Sequence, residues 1–224
     1  MDSLNVLLTS GLAGVISGFV VSIPVGPINI TIVNEGARRG FFWAFMIGLG
    51  AMAMDLIYCG IAFAGFSSLF ASKFMKAAME LMSFLFLIYL GIKYLVTASL
   101  PATTPTVEAV EHKLHPHTAF WIGFVRVLGN PAVLLFWITV SATFISHDWI
   151  DDTFPSKAVC VLGTFVGGLL WFILLSFLVA QGHGKFSTGA LVRMAHISGA
   201  ILLIAGIVIG YRLVSMLARH HHHP

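Results

Sequence analysis

Charge is what this chain has least of. Its 12 Lys and Arg and 9 Asp and Glu make up 9% of 224 residues, where a soluble domain carries roughly 25%. With 58% hydrophobic residues and a mean hydropathy of +0.95, too few charged groups remain to cover a globule in water, so lipid is the expected surroundings. The net charge of +3 comes from basic residues scattered along the chain, not from the clustered basic face that phosphate binding needs, and nucleic acid is excluded as a partner. Cysteine is scarce too: Cys59 and Cys160 both fall inside apolar runs, where a small polarizable side chain packs as core. The spacings Cys-x-x-Cys, His-Glu-x-x-His and Gly-x-Ser-x-Gly do not occur, so no enzyme, metal or cofactor signature is legible. The first residues, Met1-Asp2-Ser3, lack the basic side chain of a signal peptide, and the apolar run behind them is longer than a signal core.

What is present is apolar length. Crossing about 30 Å of hydrocarbon takes about 20 helical residues, and six runs reach that length: Leu4–Val33, Phe41–Phe66, Ala77–Val96, Ala119–Ile145, Ala158–Ala180 and Ile197–Leu217. They lack the short-period alternation of barrel strands, and an apolar segment in lipid must satisfy its own backbone, so each is read as a helix. The longest joint, Thr97–Thr118, holds Pro101, Pro105, Glu108, Glu111, Lys113 and three histidines, and reads as a solvated loop between two groups of three helices. The expected organisation is a single transmembrane domain over 1–217, with repeat one at 4–96, the loop at 97–118 and repeat two at 119–217. The His-rich end at 218–224 has the look of an expression tag. Basic residues at helix ends are almost balanced between the two sides. The tight Arg38-Arg39 pair after the first helix decides for a cytoplasmic first loop with both termini outside.

The two groups echo each other. Gly18-Phe19-Val20 recurs as Gly123-Phe124-Val125, and each copy is followed by a proline break, Pro24-Val25-Gly26-Pro27 in the first group and Gly129-Asn130-Pro131 in the second. An odd number of spans per group inverts the second copy in the membrane. Proline removes a backbone donor and crowds the preceding turn, so both helices are expected to break there. The half-helix after each break then points its N-terminus at the middle of the membrane from opposite sides. Exposed N–H groups and aligned peptide dipoles at such ends favour an anion such as a carboxylate, with Asn29 as an additional polar group.

An ionisable side chain at the middle of a membrane helix costs about 2.5–3.5 kcal/mol and calls for a reason. Asp55 lies roughly 21 Å along the second span and Arg126 roughly 10 Å along the fourth. That difference of about 11 Å exceeds the reach of an Arg side chain, which argues against a direct pair. Arg126 lies closer in depth to the Pro24–Pro27 break, where it could hold a substrate carboxylate, leaving Asp55 to meet a proton or a substrate amino group. Glu35 and Arg38 read as a helix-end ion pair. Trp121, Trp137 and Trp149 read as interfacial anchors, and Trp171, deeper, as packing. Glu108, Glu111, His112 and His115 would share a face if their loop were helical, but a solvated loop is the preferred reading over a metal site.

Several of these segments resemble the LysE-type amino-acid exporters, with the homoserine and threonine exporters as relatives. The resemblance rests on Ile23-Pro24-Val25-Gly26-Pro27-Ile28-Asn29, on Gly48-Leu49-Gly50-Ala51-Met52-Ala53-Met54-Asp55, on Tyr89-Leu90-Gly91-Ile92-Lys93, on Gly129-Asn130-Pro131 and on Trp171, and it extends to Leu217. It implies export of an amino acid from the bacterial cytoplasm across the inner membrane by a multi-pass protein driven by the proton motive force. That family often carries a basic residue after the Asn-Pro pair; Ala132 stands there, which leaves Arg126 as the nearest cation. The full expectation is an all-α membrane protein of six transmembrane helices in two inverted three-helix repeats, with broken first and fourth helices. Its substrate site would be Pro24, Gly26, Pro27, Asn29, Asp55, Arg126, Asn130 and Pro131, and its partners an amino acid, protons, the bilayer and a second copy of the chain. A metal-cation exporter and a structural subunit without transport are the alternatives.

Overall fold

Every backbone N–H and C=O in an apolar run needs a partner that lipid does not offer, and helix supplies one within the run itself. The computed structural model describes residues 3–23, 26–65, 73–96, 105–115, 117–146, 150–151, 153–182 and 188–220. Among these, all regular structure is helical: α1 (Ser3–Ser22), α2 (Pro27–Arg39), α3 (Phe41–Gly65), α4 (Lys73–Val96), α5 (Pro105–Leu114), α6 (Ala119–Leu128), α7 (Pro131–Ser146), α8 (Phe154–Gln181) and α9 (Thr188–His220). Three stretches are long and apolar enough to cross a membrane: Leu4–Ser22, Phe41–Ala64 and Phe154–Gln181. A fourth results if α6 and α7, bent by 70° at their junction, count as one span. Leu81–Val96 and Ala195–Tyr211 are shorter apolar helices at the places of the expected third and sixth spans. The joint read as a solvated loop contains α5, because a ten-residue stretch starting at Pro105 alternates Val107 and Val110 against polar neighbours and buries Val107 fully against the bundle.

Glycines set which helices touch. A Cβ at Gly14 or Gly18 of α1 would collide with the carbonyls of Cys160 and Thr164, and one at Gly167 of α8 with the carbonyl of Val15. Such close approach lets backbones pack directly where apolar side chains gain little by meeting each other instead of lipid. Positions rise together along both helices, from Gly11 beside Val159 to Ser22 beside Gly168, so α1 and α8 are parallel. The chain continues in this direction past the break, and Gly36 of α2 meets Val179. The second contact of this kind joins α3 to α6, with Gly50 against the Phe120 carbonyl and Gly123 against that of Ile47. It too extends past a break, to Phe63 of α3 edge-on to Phe144 of α7 at 6.4 Å. Each broken helix therefore lies beside one continuous helix and runs the same way.

The continuous helices α3 and α8 are antiparallel to each other, since Gly48 packs on Phe172 and Gly168 on Met52. It follows that α1–α2 and α6–α7 run in opposite directions. Helices α4 and α9 form an antiparallel pair at the side, with Gly91 beside Leu203, Gly206 beside Ile88 and Gly210 beside Phe84. One buried core draws on both halves of the chain, from Ile32, Ile47 and Met52 to Cys160 and Phe172; Cys59 and Cys160 are free thiols inside it.

Candidate functional site

Between the two broken helices lies a cavity of about 150 Å³. Its wall includes Gly26, Pro27, Ile28 and Asn29 from the start of α2, Asn130 and Val133 from the start of α7, and Asp55 and Trp137. The first turns of two helices that approach from opposite directions thus share one space. Gly26 takes an extended conformation as the N-cap of α2 and Pro27 occupies the first turn, where a missing N–H costs nothing because the leading donors of a helix lack acceptors anyway. At the other end, Gly129 closes α6 by donating to the Val125 carbonyl at 2.9 Å, and the Val133 N–H donates to the Asn130 carbonyl at 3.0 Å as α7 begins. The Tyr58 hydroxyl donates to the Leu128 carbonyl at 2.9 Å, satisfying an acceptor that the break leaves exposed.

Asp55 accepts a 2.9 Å hydrogen bond from the indole N–H of Trp137. Among the described residues it is the one carboxylate in the cavity wall, and no Lys, Arg or His lines that wall. Trp137, expected at the membrane interface, is instead 3% exposed, because the bend before α7 swings that helix across the face of α3. Trp121 is half exposed, as an anchor would be, while Trp149 lies outside the described residues.

Asn29 is buried and clips the first break shut: its amide N–H donates to the Ser22 carbonyl at 3.1 Å, and its amide oxygen accepts from the Trp171 indole at 3.2 Å. Trp171 is thereby a positioning residue for the break as well as a packing residue; its depth in the fifth run was the signal that an indole N–H had to find a buried acceptor.

Of the residues anticipated from sequence, Gly26, Pro27, Asn29, Asp55 and Asn130 line the cavity. Pro131 opens α7, and Pro24 lies outside the described residues, as do residues 221–224 of the His-rich end. Arg126 sits one position before the cavity-lining Val127 and makes an ion pair with Glu111 of α5 at 2.5 Å and a contact to the Thr31 hydroxyl. Glu111 as its partner was not legible, since fifteen residues and a chain reversal separate the two. Glu35 pairs with Arg38 at 3.5 Å and Arg39 at 3.0 Å at the end of α2, the helix-end arrangement anticipated for it. His112 and His115 approach each other at 5.7 Å, and among the described residues no three His, Cys, Asp or Glu side chains come together as a metal site.

A family model described as LysE type translocator matches residues 19–213. The chain is 27% identical over 206 residues to the Bacillus subtilis (strain 168) protein named "Putative amino acid efflux protein YcgF", covering 92% of this chain and 97% of that one. It is 23% identical over 176 residues to the "Chemotactic transduction protein ChpE" of Pseudomonas aeruginosa, covering 77% and 83% respectively. No solved structure matches it significantly.

Proposed function

This chain belongs to the LysE type translocator family, and from that premise we propose that it exports amino acids across the bacterial inner membrane in exchange for protons. The observation that carries the proposal is the cavity where the N-terminal turns of α2 and α7 meet beside Asp55. Helix N-termini favour a carboxylate, and a lone wall carboxylate favours an ammonium group or a proton. A zwitterionic amino acid presents both complements at once. The name of the Bacillus subtilis relative supports the same substrate class.

In this reading the chain crosses the membrane six times as two inverted three-helix repeats. The support is the packing order: α1–α2 beside α8 and α6–α7 beside α3 are equivalent contacts if the first repeat is laid inverted on the second, and α4 with α9 maps onto itself. Alternating access is rocking of one repeat against the other around the cavity. Asp55 takes a proton from the outer side and, when the cavity faces the cytoplasm, releases it to water as the substrate ammonium group takes the proton's place beside the carboxylate. Arg126 trades Glu111 for the substrate carboxylate as the cavity opens toward the cytoplasm.

Efflux of labelled amino acids from proteoliposomes tests this. With a pH gradient imposed, the wild-type chain is expected to export against a concentration gradient, and Asp55→Asn to lose that gradient-driven export by at least tenfold. An Asp55→Asn protein exporting at the wild-type rate across pH overturns the coupling role.

A further inference from the structure

We infer, on the reading that this cavity binds an amino acid, that the substrate class is neutral amino acids with aliphatic side chains. The cavity divides into chemically distinct parts. One part is the pair of helix N-termini, at Gly26 to Asn29 and at Asn130 to Val133, and the second is the Asp55 carboxylate held by Trp137. These two account for the backbone carboxylate and ammonium groups that all amino acids share.

What remains of the wall decides among side chains, and it is apolar: Val21, Leu90, Val127, Phe136, Phe172 and Leu202. Among the described residues the only polar side chains left in it are Ser22, already donating to the Gly18 carbonyl, and Tyr94. A lysine or arginine substrate would bring a second cation to a wall whose single carboxylate is already used, and an acidic substrate would bring a second anion beside Asp55. Burying either without a partner is strongly unfavourable. An aliphatic side chain pays no such penalty and gains by leaving water. A cavity of about 150 Å³ is the size that accommodates a molecule such as benzene, in keeping with an aliphatic side chain.

The full chain in proteoliposomes, loaded separately with labelled leucine, lysine and glutamate, provides the test by counterflow and by competition with unlabelled valine, isoleucine, methionine and arginine. Leucine is expected to exchange at least tenfold faster than lysine or glutamate, with valine, isoleucine and methionine as the effective competitors. Exchange of lysine or glutamate at or above the leucine rate overturns the side-chain assignment while leaving amino-acid export standing. Failure of every amino acid to exchange overturns the export reading itself and this inference with it. Placing a second carboxylate in the apolar wall, as Phe136→Glu or Leu202→Glu, is expected to raise lysine relative to leucine at least tenfold. Whichever of the two variants stays monodisperse in detergent gives the readout, and unchanged preference in it contradicts the assignment.

Discussion

At Trp137 a single hydrogen atom links two helices: its indole N–H is the donor that Asp55 receives. Hydrogen bonds to charged groups contribute about 1.5–3 kcal/mol, so Trp137→Phe, which keeps the ring and removes the donor, is expected to slow gradient-driven export by about tenfold or more. The same variant should shift the pH dependence of export and lower stability in detergent by about 1–3 kcal/mol, because the Asp55 carboxylate loses that donor. An export profile identical to wild type would remove Trp137 from the positioning of Asp55. Asp55 itself was legible, because a carboxylate at mid-span in an apolar run is conspicuous at any register. Its partner was not, since nothing local distinguishes an indole that anchors at an interface from one folded inward by a bend 70° away from straight.

Between elements, the ion pair of Arg126 with Glu111 fastens the short helix α5 to α6, with Val107 and Val110 packed on Gly129 beneath it. Both side chains are largely covered, at 16% and 21% exposure. Removing one partner, as in Glu111→Gln, is expected to cost about 1–3 kcal/mol, between the values for exposed and buried pairs. The exchange Arg126→Glu with Glu111→Arg should recover part of that cost in a double-variant cycle of thermal stability in detergent. Additive losses with no recovery would mean that packing by Val107 alone holds α5. The helix was anticipated only as a loop, since ten residues that open on Pro105, with Pro101 just before them, carry little local signal, and its order comes from the surface it covers.

Across the whole molecule the two broken helices each lean on a continuous one through glycines, and the two contacts are expected to be equally intolerant of bulk. Gly14→Ala and Gly123→Ala would each push a Cβ into a facing carbonyl, of Cys160 and Ile47 respectively, and overpacking of this kind costs about 1–3 kcal/mol. Thermal inactivation in detergent should fall by several degrees in both. Gly60→Ala, whose Cβ would meet nothing within 4 Å, should be neutral or slightly stabilising because alanine loses less conformational freedom in a helix. Similar behaviour of all three would remove the glycine contacts as the determinant of packing. By itself, the sequence determined that the chain is helical and apolar, where two of its helices break, and that Asp55 is out of place in hydrocarbon. These follow from composition, proline chemistry and the cost of charge in lipid, all of which act within a few residues. The inverted echo of the two halves also led to the expectation that both breaks share one site, and Gly26 to Asn29 and Asn130 line one cavity; only the tertiary structure decided that Trp137 reaches Asp55 and that Glu111 reaches Arg126. Those pairings depend on which glycine faces admit a neighbouring backbone, a property of surfaces that meet after the chain has reversed direction several times.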